Sequence, residues 1–447
     1  MSTLEIRWPL ALATVAFAVA LAAAQSSEPA AFVANYGNLR GGVTSYLFEP
    51  NGHPTFVQEL VTGEKESISD PELGTNAYAI DISPSGRFLA TSHATASDTF
   101  EQITIIEVAS DATLTIYDEF LTPDSPLDLI WLDEAHLAVL RTSVSDFNYV
   151  ILYEFDATAH TLTELDRHIT GTFTSSLIKH PTLPLIYIGD SNQFWLRAYR
   201  IDYSNTADEI QLLQTLPSTD GLYPLNITMN ADGTRIYAGG GISGGRNKIH
   251  AYDLDANGLM SPSFGSPYIT SGNSPFDFAF SPDGHIMWVG HGTDATVRSF
   301  LLDPNTGYAT ETGFVFDVGL QGTVGDLATL GDRLLVTDDW DVIDDIDGLY
   351  AFTYDVDGSF VPIGGAVASQ GVWPTALVAW NPQVSCPADI DHSGLVDLAD
   401  LATLIAAFGT CDGDATFNAA ADIAVNGCID LADLASLLAA YGGACPN

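Results

Sequence analysis

Between residues 31 and 380 apolar and polar side chains alternate in short runs, broken by Gly, Pro, Asn and Asp, with almost no helical spacing. A period of two marks half-buried strands, and the interruptions mark the turns between them. One run, SPFDFAFSPDGHIMWVG from Ser274 to Gly290, recurs as YPLNITMNADGTRIYAG from Tyr223, as SPLDLIWLDEAHLAVL from Ser125 and as AYAIDISPSGRFLATS from Ala77. Fainter copies begin near Thr174, Val324 and Pro374. With Ala77, Pro126, Thr174, Pro224, Pro275, Val324 and Pro374 taken as equivalent, the steps are 49, 48, 50, 51, 49 and 50 residues. A period near 50 in an all-β chain predicts four-stranded propeller blades.

Seven starts predict a seven-bladed β-propeller, but the last, WPTALVAWNP at Trp373, has only one strand after it. The missing three are at the other end, AFVANY, GVTSYLF and TFVQELV between Ala31 and Val61. The N-terminal strands should therefore complete the C-terminal blade, a closure that removes exposed sheet edges. The outer hairpins share an aromatic followed three residues later by an acid: Tyr46/Glu49, Tyr153/Asp156, Tyr199/Asp202, Tyr252/Asp255, Phe300/Asp303 and Tyr354/Asp357. The aromatic should pack between blades and the acid should bond its own turn.

Two positions past each blade start stand Ala79, Asp128, Ser176, Asn226, Asp277, Asp326 and Ala376. In a closed ring these line the mouth of the central channel, where they either bind a cation or polar substrate or cap backbone N–H groups. Capping is the more ordinary role for Asp and Asn. Loops after each second strand bring His93, Arg141, Asp190, Arg246, His291 and the acidic run Asp338 to Asp347, with Trp340, to the same mouth. His93 and His291 suit acid–base work if a carboxylate orients them. Trp373 and Tyr223 suit a sugar-stacking platform or inter-blade packing. GISGG at Gly241 to Gly245 fits the serine-hydrolase elbow, and GGGISG fits a dinucleotide fingerprint, but both need a strand–turn–helix context that a blade loop lacks. The sequon at Asn226 falls inside an expected strand.

The pattern changes after residue 385. DIDHSGLVDLAD, from Asp389 to Asp400, has oxygen side chains at positions 1, 3, 5, 9 and 12 of a twelve-residue loop, with Gly394 at position 6. Asp389, Asp391, Ser393, Asp397 and Asp400, with the carbonyl of Leu395, form a hard-oxygen set for Ca2+. The loop repeats 33 residues later as DIAVNGCIDLAD, where Asp422, Asn426, Cys428, Asp430 and Asp433 are the corresponding donors. Ala424 replaces the ligand at position 3, so the second site should be weaker. Leu398, Leu401, Leu404, Ile405 and Phe408 match Leu431, Leu434, Leu437, Leu438 and Tyr441 at helical spacing, and Gly409 and Gly442 stop both helices. All four cysteines lie here. An even set confined to a small domain reads as two disulfides; of the three connectivities, Cys386–Cys445 with Cys411–Cys428 is the favoured one.

This tail resembles a bacterial type I dockerin. Pro387 leaves no room for an entering helix, position 12 is Asp, and loop–helix occurs twice. The resemblance implies two calcium sites and a helical face for a cohesin-type partner. Positions 10 and 11 are Leu398–Ala399 and Leu431–Ala432, where the best-known dockerins carry hydroxyl residues. Residues 31–380 resemble the lactonase-type (YVTN-like) seven-bladed propellers, on VANYGNLRGGVTSYLFEPNG and SPFDFAFSPDG. The glycine–proline–arginine–histidine signature of the phosphogluconolactonase branch is absent from every blade, so the resemblance speaks to fold more than to activity.

Leu10 to Ala22 is an apolar run of signal-peptide length, followed by Ala22-Ala23-Ala24 as a cleavage site. The expected organisation is a signal peptide over 1–24, a propeller over 25–381 and a calcium-loop domain over 386–447, in a secreted, cell-surface or periplasmic protein. A formal charge of −43 with three lysines argues against nucleic acid or anionic membrane as partner. Two functions remain. One is a secreted calcium-binding protein whose ring holds a carbohydrate, small molecule or partner, and whose tail attaches it to another protein. The alternative is a secreted hydrolase, lactonase-like or polysaccharide-directed, with its site at the ring mouth. No catalytic constellation is visible in the sequence.

Overall fold

The computed structural model describes residues 28–447, apart from 38, 68–72, 95–100, 123–124, 143–146, 173, 206–207, 219–223, 241–246, 320–322, 340–346, 382–387, 389, 391–395, 412–413, 415, 425–426 and 443–447. The chain is a seven-bladed β-propeller with two short helices after it. Blade 1 runs Ala77–Ile82, Phe88–His93, Glu101–Val108 and Leu114–Thr122, from the channel outward. Blades 2, 3, 4, 5 and 6 begin with Ser125–Trp131, Thr174–Lys179, Asn226–Met229, Pro275–Phe280 and Thr323–Leu330.

Blade 7 closes the ring as the sequence predicts. Its inner strand Pro374–Trp380 pairs antiparallel with Ala30–Asn35, which continues through Arg40–Phe48 to Pro54–Glu64. The second strands Phe88–His93, Leu185–Asp190 and Ile286–His291 are buried throughout, because neighbouring blades cover both faces. Outer strands such as Thr161–Gly171 alternate toward solvent. The apolar cores lie between blades, as where Trp288 and Val297 meet Leu334, Val336 and Phe352. Tyr46, Tyr199, Tyr252 and Phe300 are buried as expected, and Asp156, Asp202, Asp255 and Asp303 accept N–H groups of their own turns.

Closure rests on a tight fit between the last strand and the first blade. Trp380 lies over Gly86, in the turn after the first strand of blade 1, where φ is +75° and an added Cβ would strike the indole. Gly86→Ala should lower ring stability by about 2–4 kcal/mol, combining a left-handed penalty with displacement of a buried ring. Chemical denaturation of the variant checks this; a value within experimental error of the parent would contradict it.

In the tail, α1 (Leu398–Ala407) and α2 (Leu431–Ala440) start on matching capping boxes, Asp397 with Asp400 and Asp430 with Asp433. Gly409 and Gly442 take φ +86° and +79° after them. The halves exchange contacts: Gly409 N donates to Ile429 O and Gly442 N to Val396 O, each at 2.8 Å. Leu404, Ile429, Val396 and Leu437 form the shared core, and Cys411–Cys428 is bridged as favoured from the sequence. Cys386 and Cys445 lie outside the described residues. No helix among the described residues is long and apolar enough to cross a membrane.

Candidate functional site at the ring mouth

Inner strands run away from the face where the chain enters each blade, so blade starts and second-strand ends share one rim. Near that rim a β-bulge interrupts the inner pairing in blades 1, 2, 3, 5 and 6 and where Pro374–Trp380 meets Ala30–Asn35. A bulge re-aims the side chains beside it.

The polar residues just inside the rim mostly tie each blade to the next. Asp128 Oδ2 accepts Leu177 N at 2.7 Å, and Ser176 Oγ accepts Ile227 N at 3.2 Å. Asp277 Oδ2 accepts Leu327 N at 2.5 Å, and Asp326 Oδ2 accepts Leu377 N at 2.6 Å. Asn226 Nδ2 donates to Asp277 Oδ1 at 3.0 Å, so the sequon asparagine is occupied in the belt. Two residues below Ala79, Asp81 does the same for Trp131 N at 2.7 Å. The belt is a backbone-capping device, and Asp128, Asn226, Asp277 and Asp326 do not converge as a free cation cage.

One link is unusual. Leu327 N donates both to Asp277 Oδ2 and, at 2.8 Å, to Asp326 Oδ1. A single N–H reaches two carboxylates only when their oxygens adjoin, and adjoining anionic oxygens need a proton between them. Burial and then the Asp277 charge raise Asp326 well above the ordinary range. Asp277 is raised by burial, with the Asp326 hydrogen bond opposing.

His93 and His291 are fully buried structural side chains. His93 Nδ1 meets Thr75 O at 3.1 Å and Nε2 meets Thr104 Oγ1 at 3.0 Å; burial lowers its pKa to about 4. His291 Nε2 meets Thr270 Oγ1 at 2.8 Å and Nδ1 meets Thr296 O at 3.2 Å. Their ring nitrogens are spent on these partners rather than on Asp128, Asp277 or Asp326. Arg141 lies over Tyr149, and Asp190 Oδ1 accepts Gln193 N. Tyr223, Arg246, Trp340 and the Gly241 to Gly245 loop lie outside the described residues, although strands flank that loop on both sides.

Two groups that the sequence did not single out come together instead. Tyr78, next to the blade 1 bulge, is 37% exposed, yet its hydroxyl is raised to about 12. Burial within the mouth is the main cause, with the charges of Asp128, Tyr36 and Asp339 adding to it. Asp339 closes the second strand of blade 6. Its Oδ1 is sealed from solvent and has no hydrogen-bond partner among the described residues. Burial first and Asp347 second raise Asp339 to about 7. Asp128 also reaches about 7, through burial opposed by the N–H groups of Leu177 and Leu129. A protonated phenol and carboxylates poised near neutrality thus share one electrostatic neighbourhood.

Aromatic rings flank them. Tyr36 meets Tyr78 edge-on at 5.5 Å between centroids and lies near-parallel to Trp373 at 6.0 Å. Tyr36 N also donates to Trp373 O at 2.8 Å. A separate cleft of about 470 Å3, lined by Asp283, His285, Leu301, Tyr354, Asp355 and Val356, lies at turns on the far end of blades 5 and 6.

Residues 191–324 match the family described as "Lactonase, 7-bladed beta-propeller". The fold overlays the Pseudomonas aeruginosa periplasmic gluconolactonase with a TM-score of 0.64 at 17% identity, over 78% of this chain and 98% of that one. The ring is a seven-bladed propeller similar to the lactonase-type ones. A Bacteroides fragilis protein provisionally identified as a 6-phosphogluconolactonase gives a TM-score of 0.61 at 17% identity, over 79% and 98% of the two chains. A Bacteroides uniformis counterpart gives 0.62 at 14%, over 79% and 99%. No curated protein matches this chain. At these identities the lactonase-type likeness establishes architecture, and the chemistry rests on the mouth.

In the calcium loops, Asp400 is fully buried and accepts N–H groups of Ile390 and Asp397. Asp433 likewise accepts those of Ala424 and Asp430. Asp389, Asp391, Ser393, Leu395 and Asn426 lie outside the described residues. Among the described residues no group of three or more His, Cys, Asp or Glu is placed to hold a metal.

Proposed function

We infer that the protein is an exported lactone hydrolase working at the ring mouth. The observation that carries this is Asp339, part-buried at the end of its strand, whose charge acts on the Tyr78 phenol and whose pKa near 7 suits a general base. Asp339 takes a proton from water as the water oxygen bonds the lactone carbonyl carbon. The Tyr78 hydroxyl donates a hydrogen bond to the developing oxyanion, being held protonated well above neutral pH. The ring C–O bond then breaks, and the departing alkoxide takes back the proton from Asp339. The product is an open hydroxy acid, and atoms and charge balance without a further reactant. The match to the lactonase family over 191–324 and the gluconolactonase-like architecture favour this reading over a pure binding ring. The apolar N-terminal run fits export to a periplasmic or extracellular compartment. Acid release from D-glucono-1,5-lactone and δ-valerolactone by the intact chain, followed by pH-stat above the spontaneous rate, tests it. No acceleration on either would sink it.

A second reading concerns the tail alone. Two fully buried position-12 carboxylates folded back on their own loops, and the exchanged contacts between halves, favour a calcium-organised module. Leu398 and Leu431, Ile405 and Leu438, and Phe408 and Tyr441 are exposed in matching pairs, a face suited to a cohesin-like protein partner. Millimolar calcium should raise the melting temperature of a separate tail transition in the intact chain, and EDTA should lower it. A transition indifferent to both would remove the metal from the account.

A further inference from the structure

We propose that Tyr36, Tyr78 and Trp373 form a recognition surface at the seam of blades 7 and 1 that takes the apolar face of an uncharged, unphosphorylated carbohydrate ring. This rests on the hydrolase reading for its reaction but not for binding. Trp373 has φ +49°, a left-handed conformation that bulky side chains avoid. The fold asks for that conformation at this place. The residues just before the inner strands of blades 1 and 5, Asn76 and Ser274, have φ +58° and +56°. Asn tolerates the left-handed region well, and Ser carries a small side chain. A tryptophan there costs stability that an asparagine would spare, so backbone geometry does not account for the indole.

What the indole contributes is surface. It continues the aromatic patch of Tyr36 and Tyr78 across the junction that ring closure creates. Aromatic faces and edges suit the C–H face of a sugar ring, while the rim offers polar groups to its hydroxyls. Charge narrows the class further. The carboxylates of Asp128 and Asp339 already act on Tyr78, and a phosphate dianion would add like charge in a partly desolvated mouth. Among the described residues Arg40, close to Tyr36 in the chain, is paired with Glu59 at 2.8 Å. A neutral polyhydroxylated ring meets no such repulsion.

Trp373→Asn in the intact chain tests this, because a packing role and a recognition role move different quantities. The melting temperature should stay level or rise, while KM for D-glucono-1,5-lactone rises about tenfold and that for δ-valerolactone hardly changes. For the parent chain, kcat/KM on 6-phospho-D-gluconolactone should be at least ~100-fold below that on the unphosphorylated lactone, which corresponds to about 2.7 kcal/mol of discrimination or more. Non-hydrolysable 1,5-anhydro-D-glucitol should quench parent fluorescence, and the Trp373→Asn chain should lose that quench. A drop of several degrees with unchanged KM would assign Trp373 to packing and overturn the proposal, as would equal rates on all three lactones. Quenching without any lactone hydrolysis would keep the recognition surface and remove the hydrolase reading. Neither quenching nor hydrolysis would overturn both.

Discussion

Asp326→Asn should flatten the fall in ring stability that the parent chain shows as pH rises. In the fold Asp326 holds a proton against Asp277, so its pKa is raised above the unfolded value near 3.9. The folded state therefore binds more protons than the unfolded one between those two values, and stability declines across that window. The contribution is full below the ordinary carboxylate range and is lost as pH climbs through the raised folded value. Each such proton gives a slope of up to about 1.4 kcal/mol per pH unit. Asp81, raised to about 6, and Asp128, raised to about 7, act in the same direction. His93, lowered to about 4, acts oppositely: it weakens the fold as pH falls from about 6.5 toward 4. The difference between parent and variant isolates Asp326 from these.

Asparagine at 326 comes near the protonated acid. Its amide N–H2 donates where the shared proton sat and its oxygen still accepts Leu377 N, so it loses only the Leu327 N bond to Oδ1, and Asp277 Oδ2 still accepts that N–H. Asp277→Asn has no such escape. Its neighbours on both sides are donors, Asn226 Nδ2 and Leu327 N, so one amide N–H2 must face another donor. That variant should lose about 2–4 kcal/mol. Thermal denaturation from pH 5 to pH 9 checks the pair; equal losses in both variants would contradict a shared proton.

Asp339→Asn should lower kcat/KM on a neutral lactone by at least ~100-fold, the range of a removed general base. The amide is isosteric and relieves a buried charge, so the folded ring should be at least as stable as the parent. Tyr78→Phe should cost about 100-fold, because it removes one hydrogen bond to the oxyanion while the aromatic surface remains. Activity surviving in Asp339→Asn would move the base elsewhere in the mouth.

The ring was legible because its repeat is carried by a strong local signal, an alternating strand with Asp, Asn or Ser two residues past five of the seven starts. Closure by residues 30–64 followed from counting strands after Trp373. The belt also followed, since Asp and Asn at strand starts ordinarily cap N–H groups, and at Asp128, Asp277 and Asp326 they do so on the next blade. The reacting groups were not legible, for two physical reasons. Tyr36, Tyr78 and Trp373 adjoin only because closure brings residues more than 300 positions apart to one seam. Asp339 looked like part of a solvated acidic run, whereas it and the buried Asp338 end a second strand of the ring. The histidines misled for the opposite reason: a second-strand end reads as a mouth position, but in this ring its imidazole turns between strands. Two sequence signals pointed to the seam: Trp373, read as a stacking residue but with Tyr223 for its partner, and an aromatic directly after a blade start, as at Tyr78.

The pH dependence of kcat/KM on D-glucono-1,5-lactone, measured on the intact chain from pH 5 to pH 9, tests the mouth most directly. A profile that climbs about tenfold per unit below an apparent pKa near 7 and levels above it, absent in Asp339→Asn, is the predicted result. A rate that is flat over that range, or one that Asp339→Asn leaves intact, would contradict hydrolysis by this site.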